Sequence, residues 1–432
     1  MGEWPMHSLD EVAFFQEGPG ILAKDFTEGG TPLVRLAGLG GYQASLNGCN
    51  FVSEEKASTK WSHFKLESGD ILVSTSASFG RPAVVGPEAE GAIFYTGIIR
   101  FRSKSEDLLD GYLKLFLGSE AFDRQAEAFA SGSVIRHFGP SHLRQMTIEI
   151  PPVSLQRQIV NLVGALDDKI ELNRRMNETL EAMARAIFKD WFVDFGPTRA
   201  KAEGRAPYLA PEIWDLFPHA LDDEDKPVGW KEEPVHTQAH WVNGAAYKNM
   251  HFSDDPDALP VIKIAELKAG VTKNTKFTNT ALGDKYLIAD GELLFSWSGN
   301  PDTSIDTFVW TGGEAWLNQH IFAVRQNGKR SLPFLYAMLK WLKPEFSEIA
   351  RNKQTTGLGH VTQQDLKRLL VHIGPTEVMA AFDDLVRPIY ARLFRNLMEM
   401  RTLAQTRDLL LPKLMSGEIR LAEAKKAVEA VA

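Results

Sequence analysis

Cysteine is almost missing from this chain of 432 residues, in which Cys49 stands alone. One thiol excludes an internal disulfide framework and a four-thiolate zinc site, and it suits a reducing compartment. Also missing is any run near the ~18 apolar residues of a membrane span. The opening MGEWPMHSLD has neither the basic start nor the apolar centre of a signal peptide. No membrane partner is therefore expected, and the expected location is the cytoplasm. No Gly-Lys-Ser/Thr phosphate loop and no His/Cys cluster at zinc spacing occurs. A basic excess is absent too, since the formal charge is −8. The acidity is local: Val193 to Pro234 holds ten acids and five bases, a net of −5, which leaves −3 for the other 390 residues. Such a balance gives a polyanionic partner no support and does not exclude one, because local faces decide.

What is present is a repeat. The length predicts two or three domains, and 44% hydrophobic with 24% charged residues is ordinary globular composition. SVIRHFGPSHLRQMTIEIPP (133–152) aligns without gaps on TGLGHVTQQDLKRLLVHIGP (356–375) at an offset of 223. His137 then falls on His360, Leu143 on Leu366, Ile150 on Ile373, Pro152 on Pro375 and Asn173 on Asn396. Upstream, SGDILVSTS resembles DGELLFSWS, TPLVRLAGL resembles LPVIKIAEL, and Trp4 pairs with Trp230. Two copies are too few for a solenoid.

Each copy reads as an α+β globule followed by a long helix. GDILVSTS, AIFYTGIIRFRS and GELLFSWS are apolar or alternating segments bounded by turn residues, which predicts strands. EDLLDGYLKLFLGSEAF and LPFLYAMLKWLKPEF carry helical spacing. FFQEGPG (14–20) reads as a turn. After Pro151–Pro152, which stop a strand and open a helix, a stripe recurs every three or four residues: Ile159, Leu162, Val163, Leu166, Ile170, Met176, Leu180, Met183 and Ile187. The second copy shows Phe382, Leu385, Val386, Ile389, Leu393, Leu397, Met400, Leu403 and Leu410. Two such helices can bury each other's stripes as an antiparallel coiled coil with an approximate internal two-fold axis. Asn173 and Asn396 lie on the stripes, where buried amides would fix register. The expected organisation is a first recognition domain at 1–152, a spacer helix at 153–195 and an acidic linker or partner segment at 196–228. A second recognition domain follows at 229–375, with a second spacer helix and tail at 376–432.

Four features in this order resemble the specificity subunit of a Type I restriction–modification enzyme across the whole chain. They are the doubled layout, the joint from Pro151 to Asn173, FKDWFVDFGPTRAKAEGRAPY (188–208) and RDLLLPKLMSGEIRL (407–421). The chain departs from the family's usual joint in having Leu155-Gln156-Arg157-Gln158 after the prolines, and TEVMAAF without glutamine in the second copy. The resemblance implies a protein without catalysis of its own. Two target-recognition domains would each read half of a bipartite, gapped target in double-stranded DNA. The helices would act as spacer and as dock for two methyltransferase subunits, with a restriction/translocase subunit joining for cleavage. S-adenosylmethionine, ATP and Mg are then expected on the partner subunits, and neither cofactor nor metal on this chain. The first predicted helix, ~57 Å long at 1.5 Å per residue, matches in scale the ~34–36 Å between major-groove faces one turn apart.

Base reading needs donors and acceptors on short loops. Equivalent loops follow GDIL and GELL, with Ser74, Ser76, Ser78 and Arg81 in one copy and Ser296, Ser298 and Asn300 in the other. Ahead of the joint lie Ser131, Ser133, Arg136 and His137, matched by Lys353, Gln354, Thr355, Thr356 and His360. Enzymatic readings fare worse. An Asn/Asp-Pro-Pro-aromatic methyltransferase tetrad is absent. Pro256-Asp257 with Glu266-Leu267-Lys268 could mimic a nuclease site, but the first copy lacks the acid and the lysine, so the stretch reads as a shared structural strand. The acidic run at 222–225 reads as a solvated linker. The segment holding Trp214 and Phe217 is expected to pack beside the helices or on a partner. A two-headed scaffold that binds only proteins is the alternative reading.

Overall fold

A computed structural model describes residues 4–75, 82–129, 138–354 and 358–430. The chain divides into one unit of Met1–Glu171 with Thr402–Ala432 and another of Leu172–Arg401. Both boundaries fall inside long helices, Val153–Phe192 and Thr376–Met415, of 40 residues each.

The two units share one plan. In the first, a five-stranded sheet runs in the order Ala13–Glu17, Ile98–Ser103, Ile71–Ser74, Ala83–Val85, Gln43–Ala44. In the second, His240–Asn243, Ile321–Arg325, Leu293–Ser296 and Asp306–Val309 repeat the first four places. The runs Ile71–Val73 and Leu293–Phe295 in the central strands are apolar because both faces are covered. Ile71 and Val73 face the helices while Leu72 packs in a separate cluster on the other side, and Leu293 and Phe295 stand against Leu294 in the same way. A second, four-stranded sheet lies in each unit, with parallel pairings Leu33↔Ile93 and Val261↔Trp316. A two-stranded ribbon completes each head, Met6–Ser8 with Thr147–Glu149 and Lys231–Pro234 with Leu370–Ile373.

The joint after the prolines has a physical basis in the first unit. Gln156, fully buried, donates from Nε2 to the carbonyls of Pro151 at 2.7 Å and Asp107 at 2.6 Å. Its Oε1 accepts from the Leu109 amide at 2.9 Å, so one side chain fastens the first helical turn to the head. The second copy carries Met379 at this place, buried in an apolar core, which explains why no glutamine is required there.

Within each unit the helix segments run antiparallel. Ile159 and Val163 share a core with Leu410, Leu411 and Leu414 in the first, and Phe188 and Phe192 with Phe382 in the second. Asn173 and Asn396 are both buried. Asn173 Nδ2 donates to Glu399 Oε2 and Asn396 Nδ2 to Asn177 Oδ1, each at 2.8 Å. Replacing Asn396 by Leu strands the Asn177 carbonyl, so a loss of about 1–3 kcal/mol is expected in the urea unfolding of the second unit.

Three sequence expectations need correction. Met183 is exposed while Ala184 and Phe188 are buried, because a 3.6-residue turn drifts against a stripe read at fixed spacing. Phe14 to Glu17 belong to the strand Ala13–Glu17 rather than to a turn. Glu266 and Lys268 lie on a short helix, Ile264–Ala269, that follows the strand Leu259–Ile262. The segment holding Trp214 and Phe217 packs as expected, with helices at Gly196–Ala202 and Pro211–Trp214. It packs on the helix end: the Phe217 ring lies 5.0 Å from Trp191, and Phe195, in a left-handed turn (φ 53°), 5.8 Å from Trp230. The same device ends the second long helix, where Gly417 (φ 71°) lies against Trp4 and a helix Leu421–Glu429 follows. The acidic run is a tight turn in which Asp222 Oδ1 accepts from the amides of Glu224 and Lys226.

Candidate nucleic-acid interface

Strand register in the second unit brings several polar loops to one end of its four-stranded sheet. Asn243 pairs with Phe322, while Ser296 pairs with Ile321 and Asp306, so the residues just beyond these positions emerge together. The chain leaving Ser296 is held on both sides. The Trp297 amide donates to the His320 carbonyl at 3.3 Å, and the Val361 amide to the Trp297 carbonyl at 2.8 Å. Ser298–Gly299 then pairs with Gly359–His360, which sets Ser298 directly opposite His360.

The loop residues named from the sequence meet different fates. Ser298 and His360 are brought together, half-buried, and Gln354 is exposed. Ser296 is fully buried, so the outward edge passes to Trp297 and Ser298. Asn300 Oδ1 accepts from the amides of Asp302 (3.0 Å) and Thr303 (3.1 Å) and builds a turn. Lys353 is ion-paired with Asp365 at 2.5 Å. Burial opposes the charge on Asp365, but Lys353 and Thr362 hold its carboxyl below the usual carboxylate range. Thr355 and Thr356 lie outside the described residues, as do Ser76, Ser78, Arg81, Ser131, Ser133, Arg136 and His137.

Four residues at this end were not singled out from the sequence. Trp297 Nε1 donates to Asn243 Oδ1 at 2.9 Å, and its ring lies 5.4 Å from His320. Gln319 Nε2 is 3.2 Å from His320 Nε2 and exposed. Beside them opens a shallow cleft lined by Asn243, Lys248, Met250, His251, Tyr286 and Gln319. Side-chain amides on an exposed loop suit the N6/N7 edge of adenine, and a nearby lysine suits a phosphate. Extending the repeat offset to Gln319–His320, which then fall on Thr96–Gly97, was the available signal.

The first unit reproduces the backbone of this end. The Gly18 amide donates to Ile98 O as the Gly244 amide does to Ile321 O, both at 3.0 Å. The Thr75 amide donates to Gly97 O at 2.9 Å, and Phe138 to Thr75 O at 3.3 Å, in the places of Trp297 and Val361. Glycine is required at both crossings, since a Cβ would lie 2.4 Å from Tyr95 O at Gly18 and 2.1 Å from Asn318 O at Gly244. Ser74 ends the strand that leads into this region. The side chains differ: Glu17 and Thr96, 3.4 Å apart, stand where the second unit has Asn243 and Gln319. A carboxylate accepts from the N4 amine of cytosine, whereas amides favour adenine.

The nuclease-like residues are occupied otherwise. Glu266 caps its helix by accepting from the Lys263 amide at 3.0 Å and from Thr275 Oγ1 at 3.1 Å, while Lys268 donates to the Thr303 carbonyl. Among the described residues no group of three His, Cys, Asp or Glu could hold a metal, and no helix is long and apolar enough to cross a membrane.

Comparison with known proteins bears on this arrangement. The family described as "Type I restriction modification DNA specificity domain" matches residues 1–182 and again 227–380. The MjaIX specificity subunit of a Type I restriction enzyme from Methanocaldococcus jannaschii is 23% identical, with 98% of this chain and 94% of that protein covered. The HindI specificity subunit from Haemophilus influenzae is 24% identical, covering 82% of this chain and 87% of that one. A solved structure of a Type I restriction–modification S subunit from M. genitalium is similar over 95% of this chain and 96% of that one, at 14% identity and a TM-score of 0.48.

Proposed function

This chain belongs to the Type I restriction–modification DNA specificity family, and we propose that it reads a two-part, gapped target in double-stranded DNA through the matching sheet ends of its two units. It recognises sequence and leaves the chemistry to others. The long helices set the gap and carry docking faces for two methyltransferase subunits, and a restriction/translocase subunit joins the assembly when DNA is cut. S-adenosylmethionine, ATP and Mg bind on those partners.

One observation carries this reading. An identical set of backbone hydrogen bonds presents Glu17 and Thr96 in one unit and Asn243 and Gln319 in the other. A shared frame with exchanged polar side chains is what two different half-sites require, because base edges are told apart by donor and acceptor pattern. A scaffold that binds only proteins, which the charge of −8 favours, needs no such exchange on a conserved frame.

The test is a base-resolution methylation map of DNA from cells co-expressing this chain with its neighbouring methyltransferase. A gapped two-part motif that disappears on deleting this gene is expected, and a genome left unmodified by a folded complex would remove the reading. Duplex binding by the purified complex is further expected to weaken by about 0.9 log unit per neutralised phosphate for each tenfold rise in salt. A salt-insensitive interaction would favour the scaffold.

A further inference from the structure

The second unit holds a buried ionic cluster that joins the base of the reading edge to the long helix. Lys340, only 9% exposed, reaches two carboxylates at once. Its Nζ lies 3.1 Å from Glu181 Oε2 on the helix Val153–Phe192 and 3.0 Å from Asp306 Oδ1. Lys343 closes on the other Asp306 oxygen at 2.6 Å, and Tyr336 donates its hydroxyl to Glu181 Oε2 at 2.9 Å. Burial opposes the charge on Asp306, and the two ammonium groups more than offset it, so its carboxyl stays below the usual range.

Asp306 is no ordinary strand residue. It pairs across the ladder with Ser296, the last residue before Trp297, and so forms the base of the hairpin spanning 297–305. The far part of that hairpin is tied to the neighbouring helix Lys343–Asn352: Ser347 Oγ donates to Pro301 O at 2.9 Å, and Arg351 pairs with Asp302 at 2.6 Å. The hairpin carries Trp297 and Ser298 at the reading edge. A nearly buried lysine is costly unless its partners are held in place, and here both partners belong to elements whose mutual placement decides where a base-reading side chain stands.

We propose that Lys340 is a positioning residue for recognition of the second half-site, locking the 297–305 hairpin to the long helix through Asp306 and Glu181. The inference rests on the functional reading above. It predicts that removing the ammonium loosens the hairpin and relaxes discrimination in one half of the target only. The first unit, which has its own sheet and core, is the internal control.

Methylation maps from cells co-expressing the full chain with its methyltransferase provide the test. The half belonging to the second unit is assigned as the half that stays constant when residues 1–150 are exchanged for a relative's. Lys340→Met is expected to raise methylation of targets mismatched in that half about tenfold, the equivalent of one base contact at the weak end of the usual range. Rejection of mismatches in the other half should be unchanged, and Lys340→Arg should restore discrimination, which a merely stabilising role would not separate by half-site. Wild-type discrimination in Lys340→Met overturns the proposal. Should that variant lose methylation altogether, Glu181→Gln decides, since it leaves the Lys340–Asp306 pair in place: relaxed discrimination in the second half supports the proposal and unchanged discrimination overturns it. A wild-type map without any two-part motif would overturn the functional reading, and this inference with it.

Discussion

Four residues inserted into each long helix, at the level where Asn173 meets Glu399, are expected to move methylation to targets whose gap is one or two base pairs longer. The two half-sites themselves should not change. Both helices carry residues of both units, and on the proposed reading their rise is what an insertion adds to the gap. Four residues add ~6 Å at 1.5 Å per residue, against ~3.4 Å per base pair along B-DNA. Both helices must be lengthened at one level, because Asn173 faces Glu399 and Asn177 faces Asn396 across the seam. Lengthening one alone would put these amides out of register. With each misplaced base pair costing about 1–3 kcal/mol, the native target should lose on the order of a hundredfold or more in methylation rate. The methylation map reads both effects, and an unchanged gap would sink the idea that the helices measure it.

Arg407→Met is expected to produce the largest loss of stability, about 3–5 kcal/mol in the first unit. The Arg407 side chain is 5% exposed and its Nη1 lies 2.6 Å from Asp167 Oδ1, itself 16% exposed, while Nη2 lies 2.6 Å from Asp408. Removing the guanidinium leaves the Asp167 carboxylate in a poorly hydrated helix seam without that countercharge. Breaking a buried pair from one side costs more than the intact pair contributes. The double change Arg407→Met with Asp167→Leu should therefore recover most of the loss. Hydrogen exchange across 153–171 and 402–415 would locate the damage, and a single variant as stable as the wild type would contradict it. Recognition of the half-site read by the first unit should fail first.

The sequence carried the plan of the molecule openly. Strand alternation, helix spacing and turn residues are local, and duplication prints each of them twice. The offset of 223 that aligned His137 with His360 therefore also aligned the joints and both seam asparagines, and the upstream strands follow with small shifts in offset. The aromatic linker, with Trp214 and Phe217, was legible as packed rather than loose. The site was legible only as a pair of loops. Ser296 and Trp297 are neighbours in the chain, yet one is buried and the other joins Asn243 at the edge.

What the sequence determined by itself was the doubling, the order of elements and the buried stripe with its two amides, since periods of 2 and 3.6 residues act over a few neighbours. What only the tertiary structure decided was partnership. Lys353 looks like a base-reading residue until Asp365 is seen to hold it. Gln156 looks like a surface residue until three backbone groups of the head and joint close on it. Arg407 stands in a recognisable terminal motif, but its countercharge Asp167 lies 240 positions away. Which polar group is left to read DNA depends on which others are neutralised across a sheet end or a helix seam. That choice is made by strand order and core packing between distant segments, and local periodicity carries no record of it.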